Sequence, residues 1–188
     1  MSRIGFALCG SFCTHAAALT ALEALLACGH DIQPILSETA FATDTRFGCA
    51  AALRERLESL CGRAVIHTVP EAEPLGPARP LDALVICPCT GNTLAKLANG
   101  VTDSAVTMAA KAHLRADRPL LVSLASNDAM SANLCNIGIL LPRNNVFFVP
   151  LRPDDPARKP HSLVADFSLV PSALSAALAG RQLRPLFL

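Results

Sequence analysis

The densest run of residues able to do chemistry is Pro88-Cys89-Thr90-Gly91-Asn92-Thr93, directly after the apolar stretch Leu84-Val85-Ile86-Cys87. Pro88 ends a strand, Thr90 or Gly91 lets the chain turn closely, and Asn92 and Thr93 set an amide and a hydroxyl in the first turn of a helix. Free amides at a helix start, with no Cβ in the way at Gly91, suit a phosphate-bearing ligand. Three further loops follow apolar runs in the same manner. Gly10-Ser11-Phe12-Cys13-Thr14 offers small residues and hydroxyls, with Thr14 placed to cap a helix. Ser37-Glu38-Thr39 opens a polar stretch that reaches Thr45-Arg46-Phe47-Gly48. Ala125-Ser126-Asn127-Asp128 crowds polar groups after another run. Each loop alone is also what an ordinary capped turn contains. Together they form four polar loops at corresponding places.

Arg46 presents a guanidinium fork that matches a carboxylate near the start of the next helix. The five histidines have no neighbouring Ser or Asp pattern that would define a triad, so surface or helix positions are expected for them. Cys89 is the candidate for altered reactivity, because a helix start lowers a thiol pKa; a packing role is the other reading. The eight cysteines are scattered through apolar segments and are expected to be reduced and mostly buried. Their spacing matches no zinc knuckle, so no metal site is expected.

The elements that must hold these loops follow from hydrophobic period. Uninterrupted apolar runs at 3–9, 32–36, 64–67, 84–87, 120–124 and 146–149 read as buried strands. Helices are expected from about Thr14 to Gly29, over 48–61 with an Arg54/Glu58 exposed pair, and over 91–99, 104–115 and 131–141. A last one spans 162–179, interrupted or restarted at Pro171. Residues 69–80 hold four prolines and one glycine and read as a surface loop. Apolar strands alternating with helices imply a flavodoxin-like, doubly wound parallel sheet in a three-layer α/β/α arrangement. Ligands bind beyond the carboxyl ends of such strands, where the four loops lie. Residues 1–188 are read as one domain, with a C-terminal loop and helix region from about 150.

Composition narrows the function classes. A net charge of +1 without a basic run excludes an electrostatic footprint for nucleic acid, and no apolar stretch is long enough to span a bilayer. Apolar residues make up 52% and charged residues 16%, which points to a homo-oligomer that hides part of its surface.

The segment Pro88-Cys89-Thr90-Gly91-Asn92-Thr93-Leu94-Ala95-Lys96-Leu97-Ala98-Asn99-Gly100 resembles the signature loop and helix of the flavoprotein superfamily that includes flavin-containing cysteine decarboxylases. The chain is more closely similar to the family of dipicolinate synthase B subunits along nearly its whole length. Carrying segments include residues 5–14, Thr45-Arg46-Phe47-Gly48, residues 72–77, Ser126-Asn127-Asp128-Ala129 and residues 154–160. The resemblance implies FMN as cofactor, an oligomeric assembly, and a place in the cytoplasm of a spore-forming mother cell. It also implies an A subunit that carries NAD(P), with which the B subunit makes dipicolinate from a dihydrodipicolinate-pathway precursor. This chain has no three-glycine dinucleotide fingerprint, in keeping with that division. By the same resemblance Gly10, Ser11, Ser37, Cys89, Thr90 and Thr93 line the phosphate or ribityl chain, and Asn92 faces the reacting ligand. Ser126 and Asn127 close the flavin end, and Thr14, Pro88 and Gly91 complete the set. Arg46, Asn92 and Lys159 are the expected contacts to a small dicarboxylate. The loop after the second strand lacks the decarboxylases' histidine, and Ala125-Ser126-Asn127-Asp128 replaces their Pro-Ala-Met-Asn clamp, which argues against cysteine decarboxylation. Two alternatives stay open: an FMN-dependent decarboxylase or prenyltransferase-like flavoprotein, and a non-catalytic stabilising subunit.

Overall fold

The computed structural model describes residues 1–76 and 78–188; Pro77, within the expected loop at 69–80, lies outside them. The elements run β1 (Arg3–Leu8), α1 (His15–Ala27), β2 (Asp31–Leu36), α2 (Glu38–Ala42), α3 (Ala50–Cys61), α4 (Val69–Ala72), β3 (Ala83–Cys89) and α5 (Gly91–Asn99). They continue α6 (Ala105–Leu114), β4 (Leu120–Ser126), α7 (Leu134–Leu140), β5 (Val146–Phe148), β6 (Leu151–Pro153), β7 (Leu163–Ala165) and α8 (Val170–Leu178).

Strands β2, β1, β3, β4 and β5 lie side by side and parallel, the order expected of a flavodoxin-like sheet. Helices α1 and α8 pack together on the sheet, while α4, α5, α6 and α7 form a second group, so both faces are covered. This double covering explains the uninterrupted apolar strands: every residue of β3 is buried. On α1 the buried positions are Ala18, Ala21, Leu22 and Leu25, leaving Leu19 and Leu26 half-buried at the margin of the expected stripe. Gly62 and Gly100 end α3 and α5 at φ +62° and +71°, a left-handed conformation that a side chain would strain.

The sheet is mixed rather than wholly parallel. The outer edge of β4 is divided: Leu120–Val122 pair with β5 in parallel, and Ala125 and Ser126 pair with β7 in antiparallel. β7 in turn pairs with β6 as a hairpin. The expected helix at 162–179 therefore begins as a strand, and α8 starts only at Val170, with Pro171 in its first turn, where a missing amide hydrogen costs nothing. The expected strand at 64–67 reduces to one bridge, Ile66 to Ile35.

Three other local expectations change. Residues 69–72 are helical because Thr68 and Glu71 form a capping box and Pro70 occupies the first turn. The stretch after β2 contains α2, capped by Ser37. Arg54 and Glu58 do not pair: Arg54 lies over the Phe41 ring and donates to the Phe41 carbonyl, while Glu58 accepts from the Val65 amide.

Candidate functional site

The carboxyl ends of β1, β2 and β3 are joined to one another before any side chain contributes. The Ser37 amide donates to the Leu8 carbonyl at 3.0 Å, and the Cys9 amide to the Pro88 carbonyl at 3.1 Å. Pro88 does not end β3; the strand runs on to Cys89 after a register shift between Ile86 and Cys89. Above these ends lies a cavity of about 240 Å³, lined by Cys9, Gly10, Ser37, Glu38, Thr39, Thr90, Asn92, Thr93, Lys96 and Ser104.

Most of its lining offers hydroxyl or amide groups. Thr90 caps α5, its Oγ1 accepting from the Thr93 amide at 3.2 Å, and the Thr93 hydroxyl donates to Cys9 Sγ at 3.3 Å. Ser37 caps α2 in the same way through the Ala40 amide. Ser104 caps α6 through the Thr107 amide, and a carboxylate is added there: Glu38 reaches across from α2, and its Oε1 accepts from the Ala105 amide at 3.0 Å. Lys96 pairs with Asp103 at 2.9 Å. An anion entering the cavity therefore meets the amide dipoles of α5 and a set of hydroxyls, while the α6 dipole is already answered by a carboxylate.

The end of β4 packs against the same helix start. Asp128 accepts from the Ser126 hydroxyl and, through both carboxylate oxygens, from Asn133 Nδ2 at 2.9 Å. These bonds, the Ser126 one foremost, hold its carboxyl below the ordinary value. The cluster touches Gly91: a Cβ there would stand 2.5 Å from Ser126 Oγ, 2.6 Å from Asn133 Nδ2 and 2.9 Å from Asp128 Oδ1. The β6–β7 connection folds back over this edge, with the Ser162 hydroxyl donating to the Ser126 carbonyl at 3.2 Å and the Met130 amide to the His161 carbonyl at 2.9 Å. In that connection Lys159 binds Asp154 at 2.7 Å.

Gly10, Ser37, Thr90, Asn92 and Thr93 are thus brought together on one cavity. Asn92 is exposed there. Gly91 and Ser126 meet behind it, with Ser126 engaged by Asp128, and Asn127 lies exposed near the Ser162 hydroxyl. Ser11 and Thr14 lie in the β1–α1 turn; the Thr14 hydroxyl, expected to cap α1, instead donates to the Ser11 carbonyl at 2.8 Å. Arg46 and Lys159 are exposed and do not line this cavity.

Of the two readings of Cys89, packing holds and altered reactivity does not. As the last residue of β3 its thiol points into the core, is fully buried, and is pushed well above its ordinary pKa chiefly by loss of solvation, with Cys9 and Cys87 adding to the effect. The cysteines are also not mostly buried: Cys9, Cys87 and Cys89 are, whereas Cys13, Cys28, Cys49 and Cys135 are exposed. Five residues that line the cavity were not among the expected cofactor contacts: Cys9, Glu38, Thr39, Lys96 and Ser104, of which Glu38 and Thr39 lie in one of the four loops already singled out. Lys96 follows Asn92 by one helical turn, the spacing that marks it as a neighbour on the same face. His67 also stands at this edge, just beyond the bridge to β2, stacked on Phe41 at 3.7 Å with its Nδ1 3.3 Å from Glu71.

The flavoprotein family model matches residues 1–157. The chain belongs to the flavoprotein family. This flavoprotein is 44% identical over 184 residues to the B subunit of dipicolinate synthase from Bacillus subtilis (strain 168), covering 98% of this chain and 92% of that protein. It superposes on the crystal structure of the dipicolinate synthase B subunit from Bacillus halodurans C with a TM-score of 0.92 at 38% identity, covering 100% of this chain and 96% of the other. The FMN-dependent cysteine decarboxylase SpaF shares its fold, with a TM-score of 0.69 at 24% identity over 95% of this chain and 96% of that one. The resemblance drawn from the signature loop thus agrees with both the family match and the relatives. Among the described residues no helix is long and apolar enough to cross a membrane.

Proposed function

We propose that this flavoprotein-family chain binds FMN and works as the B-type component of a two-subunit, NAD(P)-linked oxidoreductase that forms dipicolinate. The observation that carries the reading is the likeness, 44% identical over 98% of the chain, to a dipicolinate synthase B subunit. The cavity supports the cofactor half of it. Hydroxyls from Ser37, Thr90 and Thr93 and the helix start at Gly91 converge on a volume of about 240 Å³. That is below the roughly 300–1,000 Å³ of a site enclosing a whole drug-sized ligand, so the cavity takes the phosphate-bearing end. Gly10, Ser11, Thr14, Pro88, Cys89 and Gly91 shape the turns around it. Ser126 and Asn127 stand toward the ring end, Ser126 through its bond to Asp128.

FMN, when bound, supplies a ring that accepts and returns a hydride. Asn92, exposed at the cavity mouth, orients the reacting ligand, and Arg46 and Lys159 attract the carboxylates of a small dicarboxylate. The nicotinamide cofactor sits on the partner A subunit. The chain works in the cytoplasm as one domain and as a homo-oligomer, for which a charged fraction of 16% is the supporting feature.

The freshly purified protein should show flavin absorbance or gain it on adding FMN. Mixing it with an A-type subunit, precursor and NAD(P) should raise dipicolinate output above the A subunit alone. Equal output without this chain would overturn the subunit reading, and a protein that takes up no FMN would overturn the cofactor reading.

A further inference from the structure

A second cavity, of about 230 Å³, lies between α1 and α3, and none of the roles proposed above uses its walls. Phe12 and Leu19 line it from the α1 side, Phe47 and Leu53 from the α3 side. Polar groups sit among them, Thr43, Thr45 and His15 included. His15 Nε2 is 2.7 Å from the Cys9 carbonyl, and because a carbonyl only accepts, Nε2 carries the hydrogen and Nδ1 is left as an acceptor. Burial lowers the His15 pKa, which keeps the ring neutral in this role.

Two arginines stand by the cavity, Arg56 in the lining and Arg46 beside the wall residue Phe47. The Arg46 guanidinium lies 4.8 Å from the centre of the Phe47 ring and makes no ion pair among the described residues. Arg56 also reaches the rim, paired with Glu23 at 2.7 Å. The nearby acid Asp44 is engaged, accepting from the Ala50 amide at the start of α3 at 2.8 Å. The two cavities share stretches of chain: Gly10 and Thr39 line the first, Phe12 and Ala40 the second.

We propose that this cavity binds a one-ring carboxylic acid, whose ring is held between Phe12 and Phe47, whose N–H or O–H donates to His15 Nδ1, and whose carboxylate meets Arg46. The volume, below the roughly 300–1,000 Å³ of a site enclosing a drug-sized ligand, suits a single ring. The inference rests on the proposed function for its dicarboxylate substrate class, and it places that substrate on stretches of chain shared with the cofactor cavity.

The test is calorimetric titration of the purified full-length protein with 4-hydroxypyridine-2,6-dicarboxylate, beside a separate absorbance titration with FMN. Saturable binding of the diacid is expected, weakened at least tenfold by Arg46→Ala and by Ala52→Phe, which fills the cavity from an exposed position on α3. Thermal melts of both variants should match the parent, showing that the fold is intact. Absence of saturable binding, or affinity unchanged in both variants, overturns the proposal. Diacid binding without FMN uptake would leave this inference standing and sink the cofactor reading; FMN uptake without diacid binding would do the reverse.

Discussion

Replacing Gly91 by alanine tests how the start of α5 is held against the end of β4. The added methyl would stand 2.5 Å from Ser126 Oγ, 2.6 Å from Asn133 Nδ2 and 2.9 Å from Asp128 Oδ1, all closer than a real Cβ approaches a neighbour. These three atoms belong to one hydrogen-bonded cluster, so none can retreat without disturbing the others. Overpacking of this kind costs about 1–3 kcal/mol. Disturbing the bonds of a half-buried carboxylate adds on the order of 1 kcal/mol. Alanine's better helix propensity returns less than about 1 kcal/mol at the first helical position. The net expectation is a loss of about 2 kcal/mol, a shift of about 1 M in the urea midpoint for a slope near 2 kcal/mol/M. In an Asp128→Ala background the same substitution should cost at least about 1 kcal/mol less, because Ser126 and Asn133, no longer held by the carboxylate, can give way. An unchanged midpoint for Gly91→Ala, or equal losses in the two backgrounds, would refute the claim that the Asp128 cluster pins the start of α5.

Acid should destabilise the protein through His113, which is almost fully buried on α6 and lowered to about 4, first by burial. Below the ordinary value near 6.5 the unfolded chain takes a proton that the folded chain refuses, so stability falls from pH 6.5 to 4 by up to about 3 kcal/mol. Urea melts across that range should show a slope that His113→Gln flattens. Iodoacetamide at pH 8, followed by peptide mass spectrometry, should modify Cys13, Cys28, Cys49 and Cys135 in the native protein and spare Cys9, Cys87 and Cys89; early labelling of Cys89 would contradict its burial. Thr90→Ala removes the cap of α5, which should lower stability by about 1 kcal/mol and weaken FMN uptake about tenfold, read by melting and by absorbance titration.

How much of this was visible beforehand depended on which physical signal dominated locally. β1, β3 and β4 stood out because a strand buried on both faces has no reason to alternate, and the ends of α3 and α5 because glycine is favoured where φ turns positive. The β6–β7 hairpin was hidden: its strands are three residues each, its tip is polar, and Leu163-Val164-Ala165 fits the start of an apolar helix equally well. Pro70 suggested loop only because its tolerance in a first turn depends on the cap at Thr68. For the site, position was legible and direction was not. Cys89 does precede a helix start, but it closes a strand buried on both faces, so its thiol is enclosed whichever way it points. Ser126 does sit at the ligand edge, but a carboxylate two residues on has taken its hydroxyl. Glu38 could not be foreseen as a cap for α6, because the Ala105 amide it meets is 67 residues away.

The bond from Ser162 to the Ser126 carbonyl joins residues 36 apart and crosses from the last part of the chain to its middle. On the ribosome, β1 through β4 are complete well before Ser162 is made. At roughly 5–20 residues per second that interval lasts about 2–7 s. For its duration the outer edge of β4 near Ser126 has no strand partner, and the cavity behind α5 lacks its rear support. A chain stalled in this window carries an open sheet edge, the kind of surface on which other strands can pair.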